Sequence, residues 1–163
     1  MVVQYSRVFV YGSSMNSAIM WESCPGAKFI MTANLPDHQL CFPRWDDDRK
    51  TFIVGYRPAV GKKLWGVIWL MPAEEMGALD HDKGTGSRYE RVPITVCLSN
   101  GAPATIETYR VIPEQSGQPS KAHLALIIAG AEEHELPRDY VDQLKQTATL
   151  ESFPLDFRLR GLL

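Results

Sequence analysis

Val8-Phe9-Val10-Tyr11-Gly12-Ser13-Ser14-Met15 runs from strand-forming residues into a Gly-Ser turn, and a helix-permissive stretch follows. Glycine at such a junction lets the backbone adopt positive φ or come close to a ligand. The main-chain N–H groups of a turn beside a helix N-terminus form an anion site. This stretch therefore predicts a strand-to-turn element at the mouth of a pocket that grips a carboxylate or oxyanion through main chain.

The 163 residues suit one domain able to bury a full core without disulfides or metal. Hydrophobic residues at 45% and charged residues at 22% are ordinary globular usage. A net charge of -2 without a basic stripe argues against nucleic acid as a partner. Cys24, Cys41 and Cys97 are odd in number and lack CxxC spacing, which excludes a zinc ribbon and a disulfide framework. Cys97, inside the strand-like run Pro93 to Leu98, is expected to be a buried thiol, and a reducing, cytoplasmic setting is expected for the chain. The N-terminus lacks a basic segment followed by a long apolar one, and no run approaches the ~20 apolar residues of a membrane span. A soluble protein with no membrane partner is expected. The histidines show neither i, i+4 pairing nor His/Glu ligand spacing, so neither a metal nor another cofactor is expected. Ser13 lacks the Gly-x-Ser-x-Gly context of a hydrolase elbow.

Outward from the first strand, Asn16 to Ser23 reads as a short helix stopped by Pro25-Gly26. Lys28 to Leu35 and Gln39 to Phe42 read as strands separated by a Pro36-Asp37 turn. Arg44 to Lys50 reads as a solvated polar loop, without the Gly and distal Glu of a calcium loop. Thr51 to Tyr56 is a strand, Pro58 to Gly61 a turn, and Leu64 to Leu70, apolar on both faces, a central strand. Gly66 inside it predicts a bulge or a close backbone approach. Pro72 to Leu79 reads as a helix with Glu74 and Glu75 suited to its N-terminus, and His81 to Arg88 as a polar loop. Tyr89 to Leu98 and Ala104 to Ile112 form a hairpin about Asn100-Gly101. Ser120 caps a helix from Lys121 to His134 whose Leu124, Ile127, Ile128 and Ala131 form one apolar face. Arg138 to Thr147 is a second helix. A strand-rich body followed by helices predicts an α+β domain over residues 1–150 with a curled, mostly antiparallel sheet. Residues 151–163 read as a C-terminal arm that packs or mediates contact, with a homodimer left open.

Several segments, in order, resemble the gamma-glutamylcyclotransferase family. Val10-Tyr11-Gly12-Ser13-Ser14-Met15 is similar to its Tyr-Gly-Ser substrate loop, and Leu64-Trp65-Gly66-Val67-Ile68-Trp69 to its Val-Trp-Gly-Val strand. Further likeness lies in Ala78-Leu79-Asp80 with Gly84 and Tyr89-Glu90-Arg91-Val92, in Thr108-Tyr109, and in Pro119-Ser120 through Gly130 to His134, Leu136-Pro137, Tyr140-Val141 and Leu144. The resemblance implies a small mixed barrel flanked by helices. It also implies a small-molecule substrate, a γ-glutamyl amine or related amide, whose own α-amino group attacks its γ-carbonyl to release the amine and 5-oxoproline. On this resemblance Tyr11, Gly12, Ser13, Ser14 and Met15 hold the substrate, and Tyr89 and Tyr109 line the cavity.

The family's general base is a Glu three residues after the Asp of the Leu-Asp segment. Here that position is Lys83. A lysine at its unperturbed pKa of ~10.4 is a cation near neutral pH and accepts no proton unless burial lowers it. Ser14 replaces an Asn of the family, and His123 a Tyr. Substitute bases are Asp82, one residue away, and Glu107, which shares a strand face with Tyr109 because residues two apart point together. The alternatives are a site rebuilt around Lys83 and His123 for another small-molecule reaction, and a non-catalytic binding protein.

Overall fold

In β1 (Tyr5–Val10), Val8, Phe9 and Val10 are buried at the end that leads into the Gly-Ser turn. The computed structural model describes the backbone of residues 2–83 and 87–152, with side chains except at 81–83. Among these residues five strands close into a barrel in the order β1-β3-β2-β4-β5. β1 lies antiparallel to β3 (Thr51–Pro72), with Val8 opposite Trp69, and parallel to β5 (Pro103–Val111), with Phe9 opposite Thr108. The single parallel seam makes the barrel mixed, and the helices beside it complete the expected α+β fold. Antiparallel pairing of β2 (Lys28–Asp46) with β4 (Tyr89–Leu98), and of β4 with β5, completes the ring. The β4–β5 turn is the expected Asn100-Gly101, where Gly101 takes φ 88° and Asn100 Oδ1 accepts the Ala102 amide at 3.0 Å.

β2 and β3 correct the sequence reading. Two separate strands each side of Pro36-Asp37 and of Pro58 to Gly61 were expected, but each pair is one long strand. The register slips between Pro36 and His38, so that residues 59–62 bulge out of β3 and pairing resumes beyond them. Asp37 at φ 58° and Gly61 at φ 81° absorb the irregularity, and Asp37 Oδ1 takes the Gly61 amide at 2.8 Å. The turn of this hairpin is Asp47 to Lys50, so Arg44, Trp45 and Asp46 belong to a strand rather than to the expected loop.

Trp69, Phe9, Leu64, Ile68 and Val67 are almost wholly buried, and Trp69 packs edge-on against Phe29 and His134; aromatic and branched side chains bring the largest apolar area out of water. Gly66 serves close approach, since a Cβ there would lie 2.4 Å from the Val10 carbonyl oxygen. Cys97 is only half-buried, against expectation, while Cys24 is fully buried.

The helices pack around this body. α1 (Ser17–Ser23) is capped by Asn16, whose side chain accepts the Ile19 amide at 3.3 Å. α2 (Ala73–Lys83) runs past Leu79, so positions 81–83 are helical and the expected loop is shorter. No residue in His81-Asp82-Lys83 breaks a helix; the first strong breaker is Gly84. α3 (Lys121–Glu133) has the expected Ser120 cap, which accepts the His123 amide at 3.1 Å, and it buries Leu124, Ile127 and Ala131. α4 (Arg138–Lys145) buries Tyr140, Val141 and Leu144. Among the described residues no helix is long and apolar enough to cross a membrane.

Candidate active site

Where β1 ends, Ser13–Met15 forms one 3-10 turn, in which the Met15 amide donates to Gly12 O and the Asn16 amide to Ser13 O, both at 3.0 Å. The ladder begins at Gly12, so the amides of Ser13 and Ser14 precede its first bond. Gly12 itself is extended, φ -111° and ψ -151°. Close packing rather than positive φ requires glycine there: a Cβ would lie 2.6 Å from Val54 Cγ1.

The end of α3 clamps this turn from behind. Glu133 accepts the Ser17 amide at 2.9 Å and also the Ser17 hydroxyl. His134 Nε2 lies 2.8 Å from the Met15 carbonyl, and its ring stacks on Phe29 with centroids 4.4 Å apart. Met15 is wholly buried, so its side chain belongs to the core. Tyr11 is also buried, and its hydroxyl donates to the Tyr109 carbonyl at 2.6 Å, tying the end of β1 to β5.

A polar chain joins β4, β5 and α2. The Tyr109 hydroxyl donates to Asp80 Oδ1, Arg91 Nη1 donates to Asp80 Oδ2 at 2.9 Å, and Arg91 Nε reaches Glu107 Oε2 at 2.9 Å. Tyr109 and Glu107 thus meet the same chain, but the Glu107 carboxylate is half-exposed at its outer end. Burial, then the bond to Asp80, pushes the Tyr109 phenol far above the ordinary tyrosine range. Burial likewise raises Tyr11 strongly, and raises Tyr89 to about 12.

Two spaces adjoin the turn. A void of about 20 Å³ is lined by Phe9, Val10, Tyr11, Gly12, Val54, Tyr89 and Tyr109. It has room for about one water. A cleft of about 580 Å³ has Ser13, Ser14, Met20, Arg49, Leu79 and His123 in its walls, the size of a small-ligand pocket. The expected substrate residues therefore divide: Tyr11, Tyr89 and Tyr109 pack beneath Gly12, while Ser13, Ser14 and His123 face the larger space. Position 83 lies one turn beyond Leu79 and Asp80 on α2. The side chains of Asp82 and Lys83 lie outside the described residues.

Three groups escaped the sequence reading. Asp80 and Arg91 entered it only as points of likeness. Asp46, placed in a solvated loop, is 3% exposed. It holds Arg88 Nη1 at 3.2 Å and Arg49 Nε at 3.7 Å. Glu133 too entered only within the stretch of likeness from Gly130 to His134. Helical spacing puts Asp80 one turn after Met76, a buried position, which is a legible signal. Nothing local marks Glu133, because Ser17 lies far away in sequence; Asp46 has local partners in Asp48 and Arg49, but Arg88 lies over forty residues on.

The profile of the AIG2-like family matches residues 63–144. Gamma-glutamylcyclotransferase of Mus musculus is 30% identical over 146 residues, 84% of this chain and 76% of its own. Gamma-glutamylcyclotransferase of Homo sapiens is 28% identical over the same shares. A solved structure named gamma-glutamyl cyclotransferase superposes with a TM-score of 0.86 at 26% identity, over 90% of this chain and 89% of its own.

Proposed function

The chain belongs to the gamma-glutamylcyclotransferase (AIG2-like) family, and on that premise we propose that it cleaves a γ-glutamyl amine or related small amide, releasing the amine and 5-oxoproline. The α-amino nitrogen of the glutamyl group attacks its own γ-carbonyl carbon. The new C–N bond closes the five-membered lactam, the old amide C–N bond breaks, and the proton lost by the attacking nitrogen reaches the departing amine.

The observation that carries this reading is the Gly12–Met15 turn at the wall of a dipeptide-sized cleft. Ser13 and Ser14 offer their amides to an oxygen of the glutamyl group, and a donor preset at a developing oxyanion contributes roughly 10²–10³ in rate. Nucleophile and carbonyl belong to one molecule, so a pocket that holds the chain folded supplies orientation directly. Tyr89 and Tyr109 support the turn from beneath, and Met15 anchors it. The base falls to the last turn of α2, Asp82 or Lys83. Glu107, tied to Arg91 and half-exposed, is the weaker candidate.

A second reading follows from His123, buried in the wall of the same cleft, where the family resemblance has a tyrosine. It uses His123 with Lys83 for a different small-molecule reaction. The deciding experiment is 5-oxoproline release from a panel of γ-glutamyl amino acids and amines. Release by wild type, lost in Asp82→Asn or Lys83→Ala, supports the proposal. No release from any member refutes it and leaves the second reading or ligand binding alone.

A further inference from the structure

We infer that Arg49, braced by the buried carboxylate of Asp46, recognises a carboxylate of the substrate in the cleft beside Ser13 and Ser14. This rests on the proposed reaction for the identity of the substrate and extends it to which charge on that substrate is read.

Arg49 sits on the β2–β3 turn, whose tip reaches the cleft wall. Among the described residues of that wall it is the sole lysine or arginine; the acid there is Glu22, exposed on α1. Its backbone and side chain are both held by Asp46. Asp46 Oδ1 accepts the Asp48 amide at 3.0 Å and the Arg49 amide at 3.4 Å, while Oδ2 faces Arg88 Nη1 at 3.2 Å and Arg49 Nε at 3.7 Å. One carboxylate stands between two guanidinium groups, while Asp47 on the same turn pairs with Lys50 and Asp48 is exposed beside Arg49.

The Asp46 side chain is 4% exposed and that of Arg49 48%. The brace is thus buried while the cation is open to the cleft. Asp46 engages Arg49 through Nε, and the Nη edge meets no acceptor among the described residues. A preset guanidinium fork matches a carboxylate in two parallel bonds. Arg49 also lies near the barrel-end tyrosines: its charge is the first force opposing the upward push of burial on Tyr89.

Two carboxylates of a γ-glutamyl substrate offer the same chemistry, the α-carboxylate of the glutamyl head and one carried by the departing amine. A matched pair separates them. γ-Glutamyl-alanine and γ-glutamyl-ethylamine share the head and differ in the tail carboxylate. Their α-N,N-dimethyl forms keep the ammonium charge but cannot close the lactam, so calorimetry measures binding without turnover.

Arg49→Gln is expected to weaken binding roughly 10–100-fold, as loss of a charge-assisted pair does, with partial recovery in Arg49→Lys. A loss confined to the alanine compound assigns the tail carboxylate. An equal loss for both assigns the glutamyl head. Binding of both by Arg49→Gln within about twofold of wild type overturns the inference, on the scale of affinity changes that matter. So does an equal loss in Lys62→Gln, a cation lining a separate cavity, and so does wild type that binds neither compound. Binding without 5-oxoproline release from the parent compounds refutes the proposed reaction and leaves the Arg49 assignment standing.

Discussion

Glu133, at the end of α3, accepts the amide of Ser17, the first residue of α1, at 2.9 Å, and the Ser17 hydroxyl with it. One carboxylate thereby fixes the helix that follows the Gly12–Met15 turn to an element more than a hundred residues away.

Burial pushes the Glu133 carboxyl up, but the Ser17 hydroxyl and amide, with His134, outweigh it and leave it lowered. A carboxylate lowered on folding stabilises above its unfolded pKa, and the gain is lost as pH falls through the folded value. Glu133→Gln should therefore cost about 1 kcal/mol near neutral pH, at the low end for a half-exposed charged bond. That corresponds to a fall in Tm of roughly 2–4 °C. Thermal melts from pH 7 to pH 3 should show the gap to wild type closing in acid. KM for a γ-glutamyl substrate should rise with kcat less affected, because the turn is held less firmly.

Gly12→Ala should be destabilised by roughly 1–3 kcal/mol, the ordinary penalty for overpacking. The new Cβ meets Val54 Cγ1. Val54→Ala removes that atom, so the double variant should be less destabilised than the two single losses added. A coupling of at least ~0.5 kcal/mol in urea unfolding is expected; strict additivity would place the clash elsewhere.

Tyrosine ionisation gives an alkaline signature. Burial raises Tyr89 to about 12 and raises Tyr11 and Tyr109 as well. A group raised on folding holds its proton more tightly in the native state, so stability is full below the unfolded value of ~10 and declines as pH climbs toward the folded one. Stability against chemical unfolding should fall between about pH 10 and 12, and Tyr89→Phe should flatten part of that decline. Absorbance at 295 nm should show these phenols ionising together with unfolding; their ionisation in the native state near pH 10 would contradict the burial.

If the last turn of α2 carries the base, either Asp82→Asn or Lys83→Ala should lower 5-oxoproline release at least ~100-fold. Glu107→Gln, whose carboxylate already serves Arg91, should change it less than about tenfold on the same scale. The pH–rate profile separates the pair, since a lysine base is active only on the alkaline side and an aspartate base from mildly acid pH upward. Lys83→Glu that releases 5-oxoproline far faster than wild type would mean that neither residue serves natively.

The β4–β5 hairpin, the Ser120 cap and the apolar face of α3 were legible because each is a local code: a turn dipeptide, an oxygen three residues before an amide, a 3.6-residue period. The long β2 and β3 were not. Their breakers are real, but a bulge absorbed them, and only pairing across the hairpin shows that the strands continue. Arg44 to Lys50 misled for a similar reason. A charged run reads as solvated until Arg88, over forty residues on, is seen closing on Asp46.

The order of elements and the glycine at the end of β1 are properties of the sequence alone. They follow from local sterics, periodicity and motif order. That Glu107 pairs with Arg91, that Tyr11 spends its hydroxyl on the Tyr109 carbonyl, and that Arg49 stands over a buried Asp46 at the cleft were decided by barrel closure. Closure sets which distant residues share a dry or a wet environment, and the energy of a charge depends on that environment far more than on its neighbours in sequence.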